Sequence, residues 1–567
     1  MQQGVVVRRG FVNVGHGQVH FRHAGHGPPV VLLHDSPRSS TMHVPLLAAL
    51  ASEFTAIAID TPGYGLSTPL PGTPRPEIPD FAAALAEALA ALGIERAPVY
   101  GFHTSSKIAV QFAIDHPQRV SLVIIDGLSL PPGGPPESFI ERYMKPFSIS
   151  DDGSHLAVAW AKGREFFRFF PWFDKSPAAR LPLDFPDDAF LHGYVLDLLM
   201  AGESYSSAYS AAMRYLALPR VRDVAARTVF MCRANDPLYT YLDALPGDLP
   251  AHCSIERLSG DPDAWRERVT ALLRSGTTPG SGVRLPDPLA RPRHGETRGY
   301  ITTSRGQFHV RRYGPGGATA RPLLLLPELP GSTAQTRVLA EALATDRCVL
   351  AIDLPGIGES DPVANPDAPG FVDALVALLD ALGEASVDIH ATFTSAPLAL
   401  ELARAASNRV HALVLDGLPP AGAAERRALW RRYCPAVPPR WDGAHLLSLW
   451  HRLRDQELTW PWYAREAKAI RRRRGQLDAQ ALHTATIDLA KQPAHYADAA
   501  LAALEVDLKL LLRTVTQPVL LLGDANDPRD AALPGLARLL GSVRRAERSD
   551  DASLQADTIR SFLSGAG

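Results

Sequence analysis

The second half of this chain repeats the first half with an offset of about 290 residues. Asp60–Ser67 reads Asp-Thr-Pro-Gly-Tyr-Gly-Leu-Ser, and Asp353–Ser360 repeats it as Asp-Leu-Pro-Gly-Ile-Gly-Glu-Ser. The tetrapeptide Ala-Asn-Asp-Pro likewise occurs at Ala234–Pro237 and again at Ala525–Pro528. A chain of 567 residues is too long for one hydrophobic core. The repeat therefore predicts two similar domains in tandem.

Within each half, short apolar runs alternate with helical patterns. Examples of the apolar runs are VVLLHDSP and LVIIDGL in the first half, and LLLLPELP and LVLDGL in the second. Such alternation predicts buried parallel strands joined by crossover helices. A stretch rich in aromatic residues and arginine, without this alternation, interrupts the pattern in each half. We expect it to form a helical cap over the carboxyl ends of the strands, where open parallel sheets bind ligands.

These patterns predict an α/β fold with two domains, each a mostly parallel sheet flanked by helices and carrying a helical cap insertion. The first domain is expected over residues 1–274, with its cap at about 129–222. Residues 275–298 are dense in Gly, Pro, Ser and Thr and are expected to form a linker. The second domain is expected over residues 299–567, with its cap at about 419–512.

Composition and charge exclude several classes of function. A formal net charge of −2 gives no reason to expect binding to nucleic acid or to a membrane. The basic run Arg471–Arg474 is expected to lie on a solvated helix face. No apolar run suggests a secretory signal or a membrane span, and the four cysteines are widely spaced. We therefore expect a cytoplasmic protein with no metal and no cofactor.

The order of these motifs along each half resembles the α/β-hydrolase superfamily, over nearly the whole of each half. In that family a strained strand-to-helix turn, G-x-S-x-G, exposes the nucleophilic serine above the sheet. The backbone amide of the following residue supplies half of an oxyanion hole. The resemblance therefore implies a hydrolase fold with a pocket at this turn.

Neither half has a serine at the nucleophile position of this turn. The first turn, Gly101–Ser105, reads Gly-Phe-His-Thr-Ser and places His103 there. The second turn, Ala391–Ser395, reads Ala-Thr-Phe-Thr-Ser and places Phe393 there. A shifted register with Ser105 or Ser106 as the nucleophile would break the match between the two halves. The sequence thus predicts that hydrolysis through an acyl-serine is lost.

The remaining triad positions are also altered. Asp236 and Asp527 fill the position of the family's acid, although Asn-Asp-Pro also favours a turn in its own right. No histidine occurs in the segments just before the last helix of each half, LSGDPDAW and ERSDDASL. Asp261 lies near that position in the first half, and Asp550 or Asp551 in the second.

Two neighbouring segments complete the predicted pocket. His34 and Asp35 lie in the loop His-Asp-Ser-Pro that leads to the family's second oxyanion amide, and we expect His34 to brace this loop. Thr104 follows the elbow residue. A metal site formed by His34, His103 and the aspartates is disfavoured, because no local ligand spacing supports it. The cap residues expected at the pocket are Trp160, Arg164 and Trp172.

Two hypotheses about function follow. In the first, the first domain is an enzyme for a small apolar or aromatic/acyl substrate, with His103 as general base, or less readily as nucleophile, oriented by Asp236. The chemistry could be proton abstraction, a lyase or isomerase reaction, or water-mediated hydrolysis. In the second, the protein binds a small molecule or partner without catalysis. In both, the second domain is non-catalytic, His390 is a core residue with a satisfied ring nitrogen, and the two domains pack together.

Overall fold

The computed structural model describes residues 5–566 apart from 73–74, 146–147, 278–281, 294–295, 316–319, 423–428, 430–431, 473–474 and 476. Parts of the predicted linker and of the Arg471–Arg474 run lie outside the described residues. The chain forms two compact units. The first comprises Met1–Ser148, Ala161–Pro186 and Gly193–Gly295, and the second comprises Ile149–Trp160, Asp187–His192 and Glu296–Gly567.

The first unit contains an eight-stranded sheet in the order β1-β2-β4-β3-β5-β6-β7-β8. Strands β1, β2 and β4 pair antiparallel, and every other described pairing is parallel. The strands are β1 (Arg8–Val14), β2 (Gly17–Ala24), β3 (Pro29–Leu33), β4 (Thr55–Ile59), β5 (Ala97–Phe102), β6 (Val120–Asp126), β7 (Thr228–Arg233) and β8 (Cys253–Leu258).

The second unit contains a sheet with the same order, β9-β10-β12-β11-β13-β14-β15-β16. Its first two pairings are again antiparallel and the rest parallel. The strands are β9 (Thr297–Thr303), β10 (Gly306–Tyr313), β11 (Leu323–Leu326), β12 (Val349–Ile352), β13 (Val387–Thr392), β14 (Val410–Asp416), β15 (Val519–Gly523) and β16 (Val543–Glu547). The predicted fold class is confirmed.

Helices flank both sheets and also fill the long insertions. In the first half they are α1 (Val44–Leu50), α2 (Ile78–Ala91), α3 (Thr104–Asp115), α4 (Glu137–Tyr143), α5 (Ser154–Phe166), α6 (Asp188–Ala201), α7 (Tyr205–Arg214) and α8 (Pro262–Gly276). In the second half they are α9 (Arg337–Leu343), α10 (Ala368–Leu382), α11 (Ala396–Ala405), α12 (Ala444–Leu458), α13 (Ala479–Ala490), α14 (Asp498–Glu505), α15 (Leu508–Thr514), α16 (Leu533–Ala537) and α17 (Ala552–Gly565). Helices α4–α7 separate β6 from β7, and α12–α15 separate β14 from β15. None of the described helices is long and apolar enough to cross a membrane.

The central strands are almost completely buried, which explains their unbroken apolar sequences. Every residue of β3 and of β11 is buried. Apolar side chains from these strands pack against α1 and α8 in the first unit, and against α9 and α17 in the second. Parallel strands covered on both faces require such sequences, because neither face meets water.

The repeated Asp-x-Pro-Gly-x-Gly motif holds a buried ion pair. The Asp60 carboxylate lies 2.7 Å from His20 Nδ1 and accepts hydrogen bonds from the Ser40 and Leu66 amides. Burial alone would raise the pKa of Asp60, but the nearby His20 holds it well below its usual range. A Cβ at Gly65 would lie 2.1 Å from the Asp60 carboxylate, so the turn admits only glycine there. The second half repeats this arrangement with Asp353 and His309, 2.8 Å apart.

Replacement of this aspartate should destabilise one sheet at a time. Asp60→Asn leaves the buried His20 without its carboxylate, which should cost about 3–5 kcal/mol of local stability. Hydrogen exchange followed by mass spectrometry should therefore speed up in β2 and β4 and stay unchanged in β10 and β12. Asp353→Asn should give the reverse pattern.

The matched control is Asp373→Asn, which removes an exposed carboxylate that pairs with Arg305 at 3.2 Å. Exposed ion pairs contribute little, so this variant should exchange as the wild type does. Unchanged exchange in Asp60→Asn would contradict a stabilising role for the buried pair.

Candidate functional site

Each half places one strained residue between a strand and a helix. His103 follows β5 and precedes α3 with φ 47° and ψ −108°, and Phe393 follows β13 with φ 45°. Over the part of the chain that the structure describes, these are the two non-glycine residues with positive φ. Side chains of L-residues rarely adopt this conformation, and it persists only where surrounding contacts enforce it. The turns predicted from the sequence thus have the backbone expected of the family's elbow.

The serines that follow His103 are committed to the backbone. Ser105 Oγ lies 2.9 Å from the Leu33 carbonyl oxygen and 3.0 Å from that of Phe102. Ser106 Oγ lies 2.9 Å from the Gly101 carbonyl oxygen. Both side chains are buried. Their hydroxyl groups therefore bond to the backbone that shapes the turn.

His103 lies between two carboxylates. Its Nε2 is 2.8 Å from Asp236 Oδ2, and its Nδ1 is 3.6 Å from Asp35 Oδ2. Asp236 follows β7 and is fixed by the Leu238 amide, which donates to Oδ1 at 2.8 Å. The side chains of His103 and Asp35 are 23% and 22% exposed, whereas that of Asp236 is only 6% exposed. The imidazole is therefore anchored on its buried side and accessible on the other.

The two carboxylates fix the protonation state of the ring. Burial alone would lower the pKa of His103, but hydrogen bonding to Asp236 and Asp35, together with their charges, raises it to about 10. The positive ring in turn lowers the pKa of Asp236 against the effect of burial. The raised pKa favours the imidazolium form of His103 at neutral pH, beside the side chains of Asp236 and Asp35.

Asp35 faces the amide that would serve as an oxyanion donor. Its Oδ1 lies 3.4 Å from the Thr104 nitrogen and 3.1 Å from Thr104 Oγ1. Both groups donate to the carboxylate. In the family, the amide at this position donates to a developing oxyanion. Here the Thr104 amide donates to the negatively charged Asp35 side chain instead.

Both ring nitrogens of His34 form hydrogen bonds to the backbone. The Thr61 amide donates to Nε2 at 2.9 Å, which makes that nitrogen an acceptor, so Nδ1–H donates to the Asp35 carbonyl oxygen at 2.7 Å. The side chain is buried. The His34 ring thus connects the backbone at Thr61 with the backbone at Asp35.

Asp261 stands at the start of a helix. It is exposed and caps α8, because its carboxylate accepts a hydrogen bond from the Asp263 amide at 2.9 Å. The carboxylate that the sequence placed in the family's histidine position is thus used to begin a helix.

Each of the three cap residues predicted for the pocket has a different set of neighbours. Trp172 Nε1 donates to the Tyr143 carbonyl oxygen at 2.9 Å inside the first cap. The Arg164 guanidinium stacks on Phe185, 5.0 Å from the ring centroid. Trp160 belongs to a segment grouped with the second unit, where its ring packs edge-on against His445.

Several groups near the site were not expected from the sequence. The buried Asp126 ends β6 and accepts hydrogen bonds from Tyr100 Oη at 2.8 Å and Trp265 Nε1 at 2.7 Å. Burial raises its pKa. The sequence signal that could have identified it is the repeat of this aspartate in LVIIDGL and LVLDGL. The pKa values of Tyr143, Tyr194 and Tyr209 are raised by burial and further by the nearby Asp35 charge.

The corresponding site of the second half is closed. Phe393 is completely buried, with Trp460 edge-on at 4.8 Å and the Arg529 guanidinium 4.6 Å from its ring centroid. Asp527 Oδ2 accepts hydrogen bonds from Arg471 at 3.2 Å. The expectation that Arg471 lies on a solvated helix face was wrong, because the Asp527 carboxylate draws it inward and its backbone is not helical.

His390 lies in the core, as expected, but the hydrogen bond expected for its ring is absent among the described residues. Both ring nitrogens of the buried His390 lack a hydrogen-bond partner within the described residues, so neither is satisfied. Burial lowers its pKa, and a neutral ring is therefore favoured. In the described part of the chain, no group of three or more His, Cys, Asp or Glu side chains could hold a metal ion.

Comparison with known proteins identifies the family. The model of the α/β hydrolase fold family matches residues 28–194 and 321–551. A fluoroacetate dehalogenase from Burkholderia is 32% identical over 122 residues, which cover 21% of this chain and 40% of that protein. Haloalkane dehalogenase 2 from Mycobacterium tuberculosis is 29% identical over 109 residues, which cover 19% of this chain and 38% of that protein. The chain thus spans less than half the length of the curated relatives it matches.

Solved structures give a weaker likeness. An epoxide hydrolase from an endophytic Streptomyces is 22% identical, with a TM-score of 0.37 over 48% of this chain and 96% of that chain. An esterase from Thermogutta terrifontis is 20% identical, with a TM-score of 0.36 over 47% of this chain and 98% of that chain. The matched residues make up more than half of the chain and include strands of both sheets. The chain therefore belongs to the α/β hydrolase fold family.

Proposed function

We propose that the first domain is an enzyme that moves a proton by means of His103, Asp236 and Asp35, without a serine nucleophile, on a small apolar or aromatic/acyl substrate. The second domain does not catalyse in this proposal. The observation that carries the proposal is the His103 ring, held on a strained turn between two carboxylates and partly accessible. Partial relatives named for fluoroacetate and haloalkanes are in keeping with a small substrate.

The protonation state of His103 decides which role it takes first. Because its pKa is raised to about 10, the resting ring is positive and acts as a general acid. It becomes the base expected from the sequence only after it has given its proton to the substrate. Asp35 is the more exposed carboxylate and is the group able to accept a proton from a substrate or water in the same step. Asp236 orients the ring and stabilises its charge.

An acyl-serine mechanism fits this site poorly. The hydroxyl groups of Ser105 and Ser106 are buried against backbone carbonyls. The Thr104 amide already donates to a carboxylate. A serine hydrolase needs a free hydroxyl group and an open oxyanion donor, and neither is present at this turn.

One observation favours the second hypothesis, a protein that binds a small molecule without turnover. The Asp35 carboxylate would repel a negative charge that develops beside the Thr104 amide, which removes one common means of catalysis. An enzyme would convert a bound substrate and a binding protein would not, so a kinetic measurement distinguishes the two candidates.

The His103 ring should remain protonated well above neutral pH. Nitrogen-15 NMR of histidine rings should show an imidazolium that titrates near pH 10, and His103→Gln identifies its resonance. Asp236→Asn removes a hydrogen-bonded negative charge and should lower this pKa. Asp243→Asn, which changes an exposed carboxylate of the same domain, should leave it unchanged.

The raised pKa also makes a prediction about stability. The folded-state pKa exceeds the unfolded value, so the contribution of His103 is fully present below about pH 6.5 and is lost as pH rises through about 10. The stability difference between wild type and His103→Gln should shrink over that interval. A ring that titrates near its ordinary pKa would contradict the proposed acid.

A fluorophosphonate probe should not label the purified protein. The probe requires an activated serine beside oxyanion donors, and we propose that neither turn has one. A serine hydrolase of known activity in the same reaction serves as the positive control. Labelling that maps to Ser105 or Ser106 would overturn the assigned register.

For any turnover found in a substrate screen, His103→Ala should reduce the rate on the order of 10²-fold or more, the usual scale for a general acid or base. The matched variant Phe393→Ala should leave the chemical step nearly intact and act through a cavity that costs about 3–5 kcal/mol. Loss of turnover in Phe393→Ala at unchanged stability would place the active site in the second domain. A bound substrate that never turns over would favour the binding protein.

A further inference from the structure

Two segments of the first cap belong to the second compact unit. They are Ile149–Trp160, which contains the start of α5, and Asp187–His192, which contains the start of α6. Four buried histidines of this unit form two hydrogen-bonded pairs, His155 with His483 and His192 with His445. The paired nitrogens are 3.0 Å apart in the first pair and 2.9 Å apart in the second. Each pair therefore joins one of these segments to a cap helix of the second half.

The two pairs are copies of one arrangement. His155 and His445 are the second residues of α5 and α12, and they are equivalent under the offset of about 290 residues. His192 and His483 occupy equivalent positions in α6 and α13 in the same way. The same buried contact thus occurs twice, at matching positions of the repeat.

The hydrogen bonds of the second pair suit two neutral rings. The Arg440 amide lies 3.2 Å from His445 Nδ1 and donates to it, so this nitrogen is an acceptor. The proton of His445 is then on Nε2, which donates to His192 Nδ1. His192 Nε2–H in turn donates to the Ala490 carbonyl oxygen at 2.8 Å. All four ring nitrogens are used, with one proton on each ring.

The first pair has the same polarity. The Ser150 amide lies 3.3 Å from His155 Nδ1 and donates to it, so the proton of this ring is on Nε2. Nε2–H then donates to His483 Nδ1. In both pairs a backbone amide therefore fixes the tautomer of the first ring, and the first ring fixes that of the second.

An additional proton has no acceptor at these positions. On His445 it would occupy Nδ1 and face the Arg440 amide, and on His192 it would occupy Nδ1 and face the Nε2–H of His445. Either proton sets two donors against each other and adds a charge to a buried pair. We propose that the two histidine pairs form a pH-sensitive latch, which holds the two cap segments in place at neutral pH and releases them in mild acid.

The charged groups around the second pair do not offset the effect of burial. Burial lowers the pKa of His445 to about 4, and it also lowers the pKa of His192. The charge of Arg440 acts on His445 in the same direction, and the Asp442 carboxylate acts against it. Arg440 and Asp442 are exposed and lie 2.8 Å from each other, so solvent screens both charges. The Ala490 carbonyl favours a positive His192, but burial outweighs it.

The surroundings of the first pair have the same effect. Burial lowers the pKa of His155, and the exposed Asp152 carboxylate opposes this to a smaller extent. Trp450 packs edge-on against His155, as Trp160 does against His445, and neither indole carries a charge. A positive ring at the second residue of α5 or α12 would also lie at the positive end of a helix dipole.

Acid should weaken the latch over a defined pH interval. Released histidines take up protons as the pH falls through about 6.5, whereas the paired rings resist protonation. The attachment of the two segments is therefore complete above about pH 6.5 and loses stability as the pH falls toward the lowered pKa, which is about 4 for His445. The latch does not involve His103, so it stands or falls independently of the function proposed for the first domain.

Hydrogen exchange of the full chain, followed by mass spectrometry, tests the latch. After correction for the intrinsic exchange rate, residues 154–160 and 188–192 should exchange roughly tenfold or more faster at about pH 5 than at about pH 7.5. Strands β13 and β14 of the same unit should show no such difference. Equal corrected rates at both pH values in the two segments would overturn the proposal.

A double variant shows whether one pair carries the response of its own segment. His192→Gln combined with His445→Gln replaces both rings by amides that do not titrate. The acid response of residues 188–192 should disappear, while residues 154–160 should retain theirs through the intact first pair. The control His451→Gln removes an exposed histidine of α12 and should respond as wild type does. An acid response of residues 188–192 that persists in the double variant would contradict the latch.

A measurement on the wild type does not depend on how the variants fold. The C2 hydrogen of a histidine ring exchanges with deuterium at a rate that depends on ring protonation, so mass spectrometry yields a titration curve for each histidine. The curves of His155, His192 and His445 should have midpoints below the ordinary value of about 6.5. Midpoints at or above that value would overturn the proposal.

Discussion

The left-handed backbone at His103 and Phe393 is the constraint on which the rest of both sites depends. It costs free energy, on the order of 1–3 kcal/mol per residue, and it survives because buried hydrogen bonds and close packing surround it. A Cβ at Gly101 would lie 2.8 Å from the Ser105 carbonyl oxygen, so the strand and helix meet without spare room. The turn then aims one side chain away from the sheet. In the first half that side chain meets Asp236, the acid that follows the late strand.

The acid that follows the late strand has a different partner in each half. In the first, Asp236 pairs with the elbow side chain itself, and Asp35 adds a second carboxylate on the accessible side. In the second, the elbow side chain is apolar, so the buried Asp527 pairs with Arg471 from the cap. Arg529 then lies against Phe393 and pairs with Glu328, the residue at the position of Asp35. One scaffold thus holds an accessible imidazolium in one half and a buried ion-pair network in the other.

The sequence was sufficient where local pattern determines structure. Unbroken apolar runs predicted the buried strands, and the repeat predicted two sheets of the same order. The pairing of His103 with Asp236 also followed, because strand order alone brings the ends of β5 and β7 to one edge of the sheet. The protonation of His103 did not follow, since it depends on Asp35 approaching the opposite side of the ring. Arg471 was misplaced for a similar reason: its position depends on a carboxylate 56 residues away.

The carboxylates of the first site limit what it can accept. An intermediate that gains negative charge beside Asp35 would be destabilised by the like charge. A substrate that takes up the His103 proton would instead be stabilised, because its charge becomes more positive next to both carboxylates. The second domain instead holds its carboxylates in buried ion pairs with arginines. The same fold therefore offers one environment that favours a protonated species and another that is filled by ion pairs, which is a physical reason for the two halves to differ in chemistry.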